Sequence, residues 1–198
     1  MGRRYMKKVT VNGTVASHEL YLYRGYLQLA ALDMLDNRNV LRTLLWDPLE
    51  PVATRPLALV QAASLYCYGW DFNKNVTEVF DREGAVAATY DYSPYGIVGS
   101  TGNLAQPVQW SSEMNDGKLA LVYYNYRYYN PADGRWINRD PIAEEGGWNL
   151  YGFVGNNSEK NIDSLGLIFG SKGEFNIGGN IIFEESIADT FVGSYKAQ

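Results

Sequence analysis

Between residues 75 and 92 the chain spells out a hairpin. Asn75–Phe80 and Val86–Tyr92 alternate with a period of two, which sends successive side chains to opposite faces of a strand, and Asp81–Gly84 supplies the turn. Val76, Glu78 and Phe80 share one face, and Asn75, Thr77 and Val79 the other. Neither face is purely polar, so both are expected to be partly covered. A period of two cannot sit still as a helix, and strand-like runs separated by turn residues recur along most of the chain. Met6–Val11 and Thr14–Leu22 flank Asn12-Gly13, a pair suited to a two-residue type I′ turn. Tyr21–Leu32 alternates weakly and runs into a turn-rich patch at Asp33–Asn39, and Val40–Trp46 is a further strand closed by Asp47-Pro48. The stretch from Trp46 to Pro56 holds three of the seven prolines and reads as a surface connection, because each Pro removes a ladder donor. Leu57–Tyr68 resumes as a strand or an apolar run whose type the periodicity leaves open.

Composition agrees with an all-β chain. Sixteen Tyr suit pleated, half-buried surfaces and twenty Gly supply turns and bulges. Seventeen basic against 22 acidic residues give a net charge of −5, which argues against nucleic acid as a partner. The basic start, Arg3, Arg4, Lys7 and Lys8, reads as a solvated strand end. Cys67 has no second Cys to pair with, and the neighbouring Tyr66 and Tyr68 suggest a buried strand residue. One His (His18) and one Cys cannot build a zinc site of the usual kind, and no cofactor is expected. No apolar run approaches the roughly 18 residues of a membrane span. No secretory leader or acylation signal opens the sequence, since the N-terminus lacks an apolar stretch and position 6 is Met6. Export would have to be the work of a parent protein.

The run from Asn75 to Gly96, NVTEVFDREGAVAATYDYSPYG, resembles a unit of the YD (tyrosine–aspartate) repeat, with Tyr90-Asp91 as the eponymous pair. Gly2-Arg3-Arg4 and Tyr21–Gly25 resemble worn pieces of earlier units. From Leu119 the likeness sharpens. LVYYNYRYYNPADGRWINRDP followed by WNLYGFVGNNSEKNIDSLGL closely resembles the Rhs repeat-associated core over Tyr123–Leu167. The resemblance implies YD-repeat hairpin strands forming the closing end of an Rhs-type shell, a hollow bacterial β-structure that encloses a C-terminal payload, often a toxin. On this reading 1–118 is repeat region, 119–167 is core and 168–198 is a short variable tail. The expected partners are upstream repeats of a larger shell, a payload, or a second copy through an exposed strand edge near Tyr5–Leu22. The expected location is the bacterial cytoplasm before export, then outside the cell or at its surface through the parent protein.

Two kinds of chemistry are on offer. His18 lies far from any Ser-Gly elbow and from Cys67 in sequence, so neither a Ser–His–Asp nor a Cys–His arrangement recommends itself. Paired carboxylates are the better option. Asp140, in Arg139-Asp140-Pro141, and Asp163, in Asp163-Ser164-Leu165-Gly166-Leu167, are 23 positions apart, so only the fold can bring them together. Two carboxyls held close share one proton, which lets one activate a water while the other protonates a leaving amine. The resemblance implies this use: self-processing Rhs cores look like aspartyl peptidases acting on their own chain after an Asp-Pro-x-Gly-Leu motif. Carried over, Asp140 and Asp163 are the catalytic pair and Leu167–Ile168 is the scissile bond. An arginine contributes as well; Arg135 and Arg139 fit locally, and Arg139 is preferred for its adjacency to Asp140. Ser164 replaces the family's proline, and Ser158 replaces that of Asn-Asn-Pro, which leaves the loop less constrained and cleavage slower or absent. Asp140 and Asp163 also have a plain reading as turn formers, and the two roles are compatible.

A second class of function is a non-catalytic structural or cell-surface module. A third is a carbohydrate binder using the ridge Tyr123, Tyr124, Tyr126, Tyr128 and Tyr129, although the same spacing serves cross-strand packing and packing is favoured. The tail Ile168–Gln198 is 31 residues, too short to fold alone without disulfide or metal, and is expected to form a hairpin at most. Because Met1 falls inside what reads as a repeat, the chain is expected to be the C-terminal piece of a longer shell.

Overall fold

The computed structural model describes residues 3–49, 55–163, 165–167 and 169–171. Nine strands form one antiparallel sheet in which each pairs only with its neighbours in sequence. They are β1 (Met6–Val11), β2 (Thr14–Arg24), β3 (Leu27–Asp33), β4 (Asn39–Trp46), β5 (Pro56–Gln61), β6 (Ser64–Trp70), β7 (Val76–Asp81), β8 (Val86–Tyr92) and β9 (Val98–Gly102). A second sheet holds β10 (Met114–Asp116), β11 (Leu121–Tyr124), β12 (Arg127–Asn130) and β13 (Arg135–Trp136). A two-stranded ribbon, β14 (Asn161–Asp163) with β15 (Phe169–Ser171), follows. No α-helix occurs among the described residues. The all-β expectation holds.

The sheet departs from the sequence reading where turns carry no turn residues. Leu57–Tyr68 is two strands: β5 and β6 meet across Ala62-Ala63, both in the left-handed region at φ 50° and 59°. Alanine rarely adopts that conformation, so nothing in the composition announces a hairpin there. Tyr21–Leu32 also divides, between β2 and β3, although here the turn does carry a glycine, Gly25 with φ 58°. Pro56 does not lie on a surface connection. It is buried at the head of β5, opposite Trp46, and the first position of a strand is where a missing N–H is tolerated. β9 was not anticipated.

One face of the nine-stranded sheet carries the main core. Leu44 stands opposite Leu59, and Tyr68, Val79 and Ala88 line up across three strands. These pack against Val108, Met114 and Tyr123, so the second sheet lies on this face. A second cluster, built on Val122, Tyr124, Tyr129, Trp136, Phe153 and Val154, fills the space beyond. Cys67 alternates with Tyr68 and is exposed, contrary to the buried position that its aromatic neighbours suggested.

The N-terminal strand is tied to the second sheet by charge. Asp116, buried on β10, takes Arg4 at 2.9 Å and Lys7 as ion-pair partners. Arg4 also lies between the rings of Tyr21 and Tyr123, and its backbone N–H donates to the Tyr123 hydroxyl at 2.7 Å. Half of the basic start is therefore committed to an interior anchor, and only Arg3 and Lys8 remain exposed as a solvated strand end would be.

Candidate active site

The loop after β14 is wound around one carboxylate. Asp163 Oδ1 accepts the backbone N–H groups of Leu165 (3.1 Å), Gly166 (2.7 Å) and Leu167 (3.2 Å), as an Asp side chain does when it caps a turn. Gly166 adopts φ 76°, and a Cβ there would lie 3.0 Å from the Tyr124 carbonyl oxygen. Only glycine meets both demands, the left-handed backbone and the close approach. On the facing turn between β11 and β12, the Tyr126 N–H donates to the Leu165 carbonyl at 3.2 Å.

Arg127, the first residue of β12, joins the parts. Its Nη1 lies 2.8 Å from Asp140 Oδ2 and its Nη2 lies 3.5 Å from Asp163 Oδ2. Nε donates to the Gly166 carbonyl at 2.5 Å, and Nη2 donates to the Leu167 carbonyl at 3.3 Å. The guanidinium is 4.2 Å from the Trp136 ring centroid, which fixes its plane. None of the three side chains is more than 5% exposed. Asp140 is oriented by its own turn, with Oδ1 accepting the Ile142 N–H at 3.0 Å.

The fold therefore brings Asp140 and Asp163 to one cation, as the 23-residue spacing required. That cation is not Arg139. Arg139 and Arg135 are both exposed: Arg135 alternates with buried Trp136 on β13, and Arg139 lies outside any strand, just before the turn that Asp140 begins. The overlooked signal is alternation: Arg127 shares a strand face with buried Tyr129, and a cation placed among inward aromatics needs a buried anion. Leu167 is at the site and Gly166 is packed into it, whereas Ser164 and Ile168 lie outside the described residues, as does the tail beyond Ser171.

One guanidinium faces more than one carboxyl, and protonation adjusts. Burial pushes the Asp163 carboxyl up to about 6, against the opposing pull of Arg127 and the three loop N–H groups. Glu113, beside β10, has its carboxyl driven well above the usual range, first by desolvation and then by the charge of Asp163. Burial lowers the Arg127 guanidinium from its ordinary value, with Asp163 and Asp140 raising it in return. Burial thus favours the protonated form of the Asp163 and Glu113 carboxyls over their charged form.

The tyrosine ridge is packing. Tyr123, Tyr124 and Tyr129 are buried, Tyr123 meets Tyr128 across the β11–β12 pair at 5.1 Å between centroids, and Tyr129 stacks on Phe153 at 4.0 Å. A sugar platform needs ring faces open to solvent.

No family model matches the chain. Among known proteins it is 33% identical over 125 residues to the protein YibJ of Escherichia coli (strain K12), an alignment covering 62% of this chain and 51% of YibJ. It is 37% identical over 65 residues to RhsB of Dickeya dadantii (strain 3937), covering 33% of this chain and 4% of RhsB. The TcdB2-TccC3 crystal structure superposes with a TM-score of 0.63 at 21% identity, over 82% of this chain and 8% of that one. Its homologues are the Rhs and Tc toxin shell proteins. The chain spans about half the length of YibJ and a small fraction of the longer proteins it matches. What is shared with the TcdB2-TccC3 structure is the fold, and the curated relatives are bacterial.

Proposed function

We propose that this chain forms the closing end of an Rhs-type shell and cuts its own backbone after Leu167, using Asp140 and Asp163 as acid–base pair. The observation that carries the reading is the meeting of both carboxylates on Arg127, whose Nη2 also donates to the carbonyl oxygen of Leu167. Asp140, in the tighter ion pair, is the carboxylate that takes a proton from water. The hydroxide adds to the Leu167 carbonyl carbon, and Arg127 carries the charge that develops on its oxygen. Asp163, protonated below about pH 6, gives its proton to the departing nitrogen of Ile168. The products are a carboxyl at Leu167 and an amine at Ile168, with one water consumed.

On this reading residues 1–118 are wall, 119–167 are the processing core, and 168–198 begin the released portion. The partners are upstream strands continuing the sheet beyond β1, and the payload that follows the cut. A parent protein carries the assembly out of the cell. The TcdB2 named with TccC3 is a model for the kind of larger toxin complex such a shell joins.

Intact mass of freshly expressed protein tests the proposal. The expected result is a fragment ending at Leu167 that disappears in Asp163→Asn and Asp140→Asn while the circular dichroism stays β-like. Cleavage persisting in both variants overturns the dyad. One observation favours a purely structural reading: Asp163 Oδ1 is already used by three loop N–H groups, as in a turn cap. That reading expects an intact wild-type chain.

A further inference from the structure

The cleavage loop rests on the β11–β12 turn, and the first sheet reaches Tyr126 of that turn through Tyr26. Tyr26, at the tip of the β2–β3 hairpin, has its hydroxyl 3.0 Å from the hydroxyl of Tyr126, and the two rings lie 5.9 Å apart. The guanidinium of Arg3 sits 5.3 Å over the Tyr26 ring. Tyr126 is the residue whose N–H holds the Leu165 carbonyl, and it immediately precedes Arg127. The hairpin is itself fastened to the second sheet, since the Tyr23 hydroxyl donates to the Arg4 carbonyl at 2.9 Å and Arg4 binds Asp116. A line of contacts thus runs from the N-terminal wall through Tyr26 and Tyr126 to the carbonyls of residues 165–167.

We propose that Tyr26 is a positioning residue for self-cleavage. By holding the Tyr126 hydroxyl it fixes the turn that presents the Tyr126 N–H and the Arg127 guanidinium to the loop. The wall hairpin thereby licenses the cut: the loop is aligned only when the N-terminal strands are docked. The inference rests on the cleavage reading and deepens it by naming what regulates the site. Geometry is the cause, because a small displacement of a reacting carbonyl from its donor is enough to slow a reaction steeply.

The test uses the full chain with Tyr26→Phe, Tyr126→Phe and the double variant. Cleavage is followed by intact mass, and amide exchange is followed at Tyr126 and across β4–β8. Each single change removes the shared hydroxyl contact, so each should slow cleavage about 5-fold, the weight of an ordinary hydrogen bond. The double variant should be no slower than either single one, because both break the same link. Exchange at the Tyr126 amide should quicken while β4–β8 stays protected. The pH at which cleavage declines should not move, whereas general loosening that admits water would shift it toward the ordinary carboxyl value. A wild-type rate in Tyr26→Phe with unchanged Tyr126 exchange, or independent effects that multiply in the double variant, overturns the clamp and leaves cleavage standing. A wild-type chain that is never cut, yet shows faster Tyr126 exchange in Tyr26→Phe, overturns cleavage and leaves the clamp.

Discussion

Arg127→Met is the most demanding perturbation of this structure. Methionine keeps much of the side-chain length and can still lie on Trp136, but it removes the cation shared by Asp140 and Asp163. It also strips a donor from the Gly166 and Leu167 carbonyls. Breaking a buried ion pair from one side costs about 3–5 kcal/mol, because the remaining charge has no partner and no water. With both carboxylates at most 5% exposed, the loss at pH 7 belongs in that range. It should shrink at pH 4, where Asp163 is protonated and the uncompensated charge is smaller. Adding Asp140→Asn should restore part of the loss, since it removes the anion that Arg127 neutralised. Urea unfolding followed by tryptophan fluorescence, on chains checked by mass to be uncut, measures each value. A cost below about 1 kcal/mol at pH 7 would refute the reasoning, and so would a double variant as unstable as the two single losses added.

Three further outcomes follow from the same geometry. The raised carboxyl of Asp163 binds its proton more tightly folded than unfolded, so its stabilising contribution is complete below about pH 4 and is lost as pH rises through about 6. Urea midpoints should record a fall of up to about 3 kcal/mol across that window, absent in Asp163→Asn, and the cleavage rate should decline above about pH 6; flat profiles would show that Asp163 does not titrate there. Gly166→Ala should destabilise by about 1–2 kcal/mol and slow cleavage at least about 10-fold, because its Cβ meets Tyr124 on a left-handed backbone; a normally cut alanine variant would contradict the close packing. The outer edge of β1 retains exposed Arg3 and Lys8, so light scattering should show association rising as salt screens them above about 0.1 M and suppressed by added upstream strands; a monomer at every salt concentration would count against an open edge.

Period-two alternation and the Asn12-Gly13 and Asp81–Gly84 turns made much of the wall legible, because those turns need residues that advertise themselves. Ala62-Ala63 hid a hairpin, since its positive φ values are imposed by the register of β5 and β6 and not by local preference. Asp140 and Asp163 stood out through the motif resemblance. Arg127 did not, because adjacency in sequence pointed to Arg139, whereas the cation that meets Asp140 comes from β12, where it shares a face with buried Tyr129. Likewise, no spacing rule could show that Arg4 and Lys7 would find Asp116 more than a hundred residues away.

The strict neighbour-to-neighbour order of the nine-stranded sheet has a consequence for how the molecule comes into being. Each strand needs only the one made just before it, so the wall can zip up from its N-terminal end as the chain leaves the ribosome. Arg127, Asp140 and Asp163 emerge later, and the second sheet that carries Arg127 has no face to bury itself against until β4–β8 exist. Vectorial synthesis therefore acts as a timer, and the cluster of Arg127, Asp140 and Asp163 is completed only after the nine-stranded sheet that supports it.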